Sequence, residues 1–178
     1  RLPSVSAIIH TPIIVIAHII IKMQFEHYVQ HGNGRIYGKE DLTVVTDSFP
    51  VANELYQDPG ITVYIAGGWI MKRNSSCRGV SAEQFFRQLT VDKSYCSADS
   101  IDVNVGTSSI DFDPRTEICV SKCGADRYVL VDSSKFHVRP YIDKVMKLED
   151  IHHIITNKDV SEENIKALKD AHIDVLLA

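Results

Sequence analysis

Cysteine is scarce in this 178-residue chain: Cys77, Cys96, Cys119 and Cys123 are all there is. The last two are spaced C-x3-C with no second pair, which is not a zinc-site spacing. Four thiols in a chain of this size are too few for a disulfide framework, so reduced thiols in a cytoplasmic protein are expected. An excess of basic residues is also missing. Lys and Arg number 19 against 23 Asp and Glu, giving a formal net charge of -4 and a pI near 6.0. That removes the clustered positive charge with which proteins neutralise nucleic-acid phosphates. Long apolar runs are absent as well. Ile8 to Ile21 is interrupted by His10, Pro12 and His18, too short and broken for a membrane span and lacking a small-residue cleavage site. The eight histidines form no H-E-x-x-H, and there is no G-x-S-x-G elbow or Walker loop. No metal or cofactor is expected. The chain opens on Arg1 rather than Met, which points to a fragment or a processed chain.

What is present is an ordinary globular composition, 44% hydrophobic and 24% charged, long enough to bury a core without staples. Short apolar runs alternate with amphipathic ones. Strands are expected within Ile8–Ile21 and over Leu42–Thr46, Ile61–Ala66, Lys93–Ala98, Tyr128–Asp132, Ile151–Ile155 and Ile173–Leu177. Helices are expected over Lys22–His31, Phe49–Tyr56 (Ser48 as cap, Pro50 in the first turn), Ser81–Leu89, Asp113–Lys122 and Ser161–Ala171. The Ser81 helix should keep Glu83, Gln84, Arg87 and Gln88 on its wet side. This alternation predicts an α/β fold, a mostly parallel sheet with helices on both faces. One domain over residues 1–178 is the simplest division, with a small lobe around 95–112.

In such sheets ligands lie outside the carboxyl ends of the strands. Four of those ends are polar or glycine-rich: Thr46-Asp47-Ser48, Gly67-Gly68, Gly106-Thr107 with Ser108, and Asp132-Ser133-Ser134-Lys135. The last follows a buried run, Tyr128 to Val131, and brings together an acid, two hydroxyls and an ammonium, a set suited to a phosphorylated or polyhydroxylated molecule. Each piece has a plainer reading. Asp and Ser are common turn residues, Gly-Gly is a common turn, and Ser48 fits a helix cap. Glu117 and Lys122 on a predicted helix fit a solvated face. The joint occurrence of four polar strand ends favours a ligand site, with Glu117 and Lys122 as further candidate contacts.

Taken in order, several motifs resemble the DeoR family of bacterial transcriptional regulators in its carboxyl-terminal, effector-sensing domain. They are Leu42-Thr-Val-Val-Thr-Asp-Ser48 with Pro50, Ala52 and Leu55; Pro59-Gly-Ile61; Ala66-Gly-Gly68; and Gly79 before Ala82-Glu83. They continue with Val91-Asp-Lys93, Gly106-Thr107, Glu117, Val129-Leu-Val-Asp-Ser-Ser-Lys-Phe136 and the closing Asp150-Ile151, Ile155-Thr156 and Asp174-Val175. The resemblance implies the fold of ribose-5-phosphate isomerase and glucosamine-6-phosphate deaminase-like enzymes. It implies a homo-oligomer that senses a sugar phosphate or related metabolite, with operator DNA held by a helix-turn-helix domain upstream of this chain. There are departures. Where the family carries a Gly-Thr-rich phosphate loop, Ala17 to Met23 has neither glycine nor threonine. Residues 1–40 are atypical, Asp47 and Asn157 stand where Asn and Asp are usual, and Glu117 to Tyr128 is short.

These readings predict a cytoplasmic, non-enzymatic repressor module. Its expected ligand contacts are Thr46, Asp47, Ser48, Gly67, Gly68, Gly106, Thr107, Glu117, Lys122, Asp132, Ser134 and Lys135. Two alternatives stand beside it: a sugar-phosphate isomerase or deaminase on the same scaffold, and an oligomerisation module that binds nothing.

Overall fold

The computed structural model describes residues 13–16, 41–111, 113–137 and 143–177. The helix expected over Lys22–His31 lies outside them. The apolar opening run supplies strand β1, Ile13–Ile16. The β-branched segment Leu42–Thr46 forms β2 over the expected residues. Ser48 then caps helix α1, Phe49–Leu55, its Oγ accepting from Val51 N at 3.4 Å with Pro50 in the first turn. β3, Ile61–Ile65, follows. A hairpin of β4 (Trp69–Met71) and β5 (Ser76–Arg78) leads into helix α2, Val80–Arg87. Then come β6 (Val91–Ser97), β7 (Ser100–Asp102), β8 (Gly106–Ser109), helix α3 (Arg115–Cys123) and β9 (Gly124–Leu130). β10 (Asp143–Lys147), β11 (His153–Thr156), helix α4 (Glu162–Asp170) and β12 (Asp174–Leu177) complete the chain.

The central sheet has the order β12-β11-β9-β6-β1-β2-β3, and every neighbouring pair in it is parallel. The carboxyl ends of all its strands therefore share one edge. The chain first builds outward on one side of β1, through β2 and β3, and then returns to place β6 on the other side. That reversal puts the topological switch point at the carboxyl ends of β1 and β6, where open α/β sheets form their ligand crevices.

The core follows from strand alternation. Leu42, Val44, Tyr95, Tyr128 and Leu130 pack on one face with α1 residues Val51 and Leu55. Val45, Cys96, Phe86, Cys119, Val120 and Cys123 pack on the opposite face under α2 and α3. A third cluster joins Val129, Val131 and Ile154 to Leu168 of α4 and to Ile101 and Met146 of the small sheet. On the first face the rings of Tyr95, Tyr128 and His153 stack in register at 4.7 and 4.2 Å.

Three expectations need correction. The small lobe is an antiparallel sheet, β10-β8-β7, so it also recruits Asp143–Lys147 from far along the chain. β9 begins at Gly124, earlier than expected because no loop residue separates it from α3, and it ends at Leu130 rather than Asp132. Glu83 is buried rather than wet; Arg87 and Arg115 sit 3.4 and 3.5 Å from its carboxylate oxygens. No helix among the described residues is long and apolar enough to cross a membrane.

Candidate functional site

On the β2 side of the switch point, Asp47 follows the last residue of β2 and is fully buried. Its carbonyl accepts from Cys77 N at 2.7 Å, and Ser48 bridges to Ser76, so the β4–β5 hairpin is fixed onto the end of β2. That docking brings in Arg78, a cation with 2% of its surface exposed. Arg78 Nε donates to Ser76 Oγ at 3.0 Å. Its Nη2 donates to Glu117 Oε1 at 2.6 Å and lies 3.5 Å from Asp111 Oδ2. Arg73 pairs with the other oxygen of Asp111. Arg78 Nη1 is buried with no hydrogen-bond partner among the described residues. A buried guanidinium N–H without an acceptor is costly unless a ligand supplies one. Burial raises the Cys96 thiol first, and the charges of Cys123, Asp47 and Glu117 push it further.

Glu117 lies in the first turn of α3, at the carboxyl edge. Burial pushes its carboxyl above the ordinary 4.5, against the pull of Arg78 and a Ser109 hydrogen bond and with help from Asp111. Two carboxylates share one buried cation, so attraction does not offset desolvation. A carboxylate held above its unfolded value gives stability that is present at low pH and lost as pH rises through the folded value. Glu117→Gln keeps an acceptor for Arg78 and should flatten that decline above 4.5. Urea unfolding from acid to neutral pH checks this; an unchanged slope would contradict it.

The β9 side is built from Asp132-Ser133-Ser134-Lys135. Asp132 Oδ1 accepts from Ser134 N at 2.8 Å and from Ser134 Oγ, which starts the 3₁₀ turn Ser133–His137. Ser133 N donates to Asn157 Oδ1 at 2.7 Å, tying this turn to the end of β11. Thr156 Oγ1 is buried next to it with no partner among the described residues. β9 and β2 are three strands apart in the sheet, roughly 14 Å. The two polar groups thus stand on either side of the β1 and β6 ends.

The remaining candidates have structural tasks. Thr46 Oγ1 accepts from Ser48 N at 3.0 Å. Gly67 faces open space, whereas a Cβ on Gly68 would run into the Arg78 carbonyl. Gly106 (φ 118°) and Thr107 lie on β8, a strand of the small antiparallel sheet and not of the parallel one. Thr107 Oγ1 accepts from Met146 N at 3.1 Å, which pins β10. Lys122 is exposed in the last turn of α3, which leads into the amino-terminal start of β9, so it lies about 7.5 Å along the helix from Glu117. Sequence reasoning missed Arg78 and Asp111. No local signal marked Arg78: Arg73 to Arg78 is a polar run in the sequence, and the burial of Ser76-Cys77-Arg78 arises only with the hairpin's docking. All four cysteines are free and buried, and burial pushes the Cys123 thiol up to about 12. Among the described residues no group of His, Cys, Asp or Glu could hold a metal ion.

Comparison with known proteins places this chain in a family. The DeoR C terminal sensor domain matches residues 33–158. The chain belongs to this family. The sensor domain's matched span starts at Asn33, inside the first forty residues, which carried no family motif, and ends before α4. A putative aga operon transcriptional repressor of Escherichia coli O157:H7 is 28% identical over 139 residues, 77% of this chain and 51% of that protein. The transcriptional repressor AccR of Agrobacterium fabrum is 30% identical over 125 residues, 69% and 48% of the two chains. The HTH-type transcriptional repressor CsqR of Escherichia coli K12 is 23% identical over 150 residues, 84% and 57%. The chain spans about half the length of the curated relatives it matches. It is a sensor domain of the DeoR type, on an α/β scaffold with a parallel sheet.

Proposed function

We propose that this sensor domain binds a phosphorylated sugar or related metabolite across the carboxyl ends of β1 and β6. The observation that carries this reading is the buried Arg78, its Nη1 without a hydrogen-bond partner among the described residues, set beside Glu117 and Asp47 at the carboxyl edge of a sensor-domain sheet. Asp47 and Glu117 accept from sugar hydroxyls, Arg78 donates to a ligand oxygen, and Gly67 leaves room for close approach. Asp132, Ser134 and Lys135 take the other end of the molecule, with Lys135 meeting its negative charge. Thr46, Ser48, Gly68, Gly106 and Thr107 hold the backbone that positions these groups, and Lys122 is not a contact.

Binding favours one arrangement of a homo-oligomer and so repositions upstream helix-turn-helix domains on DNA, a population shift without turnover. A thermal-shift series with ribose 5-phosphate, fructose 6-phosphate, glucosamine 6-phosphate and inorganic phosphate tests it. A ligand at a hundred times its Kd should stabilise by about 2.7 kcal/mol, which corresponds to a Tm increase of roughly 5–10 °C. Lys135→Ala should weaken the best ligand at least tenfold; unchanged affinity removes Lys135 from the site. A flat response to all sugar phosphates would favour a ligand-free oligomerisation module, and conversion of any of them would favour an enzyme.

A further inference from the structure

We propose that the β3 edge and the β4–β5 hairpin form the surface through which two copies of this chain associate. Among the described residues β3 is the last strand of the central sheet on its side, so one row of its backbone N–H and C=O groups has no strand partner among them. Edge strands ordinarily carry lysine, proline or a bulge that prevents pairing with another chain. From Ile61 to Met71 there is no charged residue and no proline, and β3 pairs with β2 without a register shift.

The side chains around this edge are large and apolar. Tyr64, Ile65, Trp69 and Ile70, with Phe49 and Val80 beside them, are each 43–59% exposed. Half-exposed side chains of this size present on the order of 500 Å² per protomer. With the strand backbone added, that approaches the roughly 800 Å² per partner of a standard interface. Tyr, Trp and Phe without Lys, Glu or Asp is the composition of an interface core. The surface is also held in shape. Phe49 N donates to Ser75 O at 2.9 Å, and Gly79 lets Trp69 lie close, since a Cβ there would come within 3.1 Å of its ring.

The occupant is a second copy. From Ile61 to Met71 no charge selects a charged partner, the cations Lys72 and Arg73 standing beyond it at the hairpin turn, and an edge strand unpaired among the described residues calls for another strand. β3 meeting β3 about a two-fold axis is necessarily antiparallel and self-complementary. The pairing joins the two central sheets edge to edge. It also gives the proposed sensing a route: Trp69 is paired with Arg78 across the hairpin, so the contact surface and the effector-side cation share one small element. The inference rests on the effector reading only for what the contact transmits, and mass measured without effector tests the contact by itself.

Sedimentation equilibrium of the 178-residue chain at tens of micromolar, without ligand, should give at least twice the 20.0 kDa chain mass. Thr62→Lys with Tyr64→Lys places like charges opposite each other and should raise the dissociation constant by about 100-fold or more. Mixing that variant with Thr62→Glu/Tyr64→Glu should restore the mass, which separates a lost interface from a lost fold. A wild-type chain running at 20.0 kDa, a lysine variant that keeps the wild-type mass, or a mixture that fails to reassociate would each overturn the proposal.

Discussion

Replacing Arg78 by leucine is expected to lower stability by about 3–5 kcal/mol, because it strands two carboxylates that its guanidinium serves. Glu117 Oε1 is 2.6 Å from Nη2, Asp111 Oδ2 is 3.5 Å away, and Ser76 Oγ loses its donor. Leucine fills part of the volume but supplies no positive charge and no N–H. The Tm should fall by roughly 6–20 °C. By contrast Lys147 and Glu149, paired at 3.1 Å, stand on exposed side chains where solvent screening leaves the pair little to contribute. Adding Glu117→Leu to Arg78→Leu should recover a large part of the loss, since the strongest orphaned acceptor goes with its donor. Urea unfolding of the two single variants and the double variant measures the coupling. A loss below about 1 kcal/mol for Arg78→Leu would mean that the cluster is hydrated rather than buried. Site geometry and stability are linked here: the cation that we propose meets an effector is held by the same carboxylates that it neutralises.

Gly106→Ala should produce the second large loss, about 2–5 kcal/mol, and it should be a loss of fold rather than of ligand. Gly106 adopts φ 118°, a region that side-chain-bearing residues rarely enter. An added Cβ would also collide with the Met146 carbonyl and come within 2.7 Å of Leu148 N. The obstacle is backbone on both counts, so no rotamer change relieves it. Pairing of β8 with β10 should fail first, and Met146 should leave the third core cluster. Equilibrium unfolding together with effector affinity separates the two roles. A stable Gly106→Ala chain with weakened binding would return Gly106 to the ligand contacts.

Hydrophobic alternation and caps made most of the fold legible. β2 and α1 were readable because Leu42–Thr46 is β-branched and buried and because Ser48 and Pro50 mark a helix start. The parallel arrangement followed from strands alternating with helices. Less legible was anything produced by long-range pairing. β10 joins β8 from 37 residues along the chain, as Asp143 opposite Ser109 to Lys147 opposite Gly106, and no local pattern announces that partner. Arg78 was missed for the same reason. Its burial is created by the hairpin docking on β2, and its partners Asp111 and Glu117 lie 33 and 39 positions away. Glu83 was misread as wet because helical spacing gives a face but not what covers it; Arg115 at the start of α3 does. Gly106 and Thr107 were grouped with the strand ends on composition, although their strand belongs to the small antiparallel sheet.

We propose that an effector is held at the carboxyl edge of the parallel sheet, between the Asp47–Arg78–Glu117 group and the Asp132–Lys135 turn. Backbone amide mapping by NMR during titration with the best sugar phosphate addresses it directly. Shifts concentrated at residues 46–48, 67–68, 76–78, 97–99, 117 and 132–135 are the predicted result. Shifts gathered instead at the opposite edge, around Leu42, Ile61, Val91 and Gly124, would contradict it.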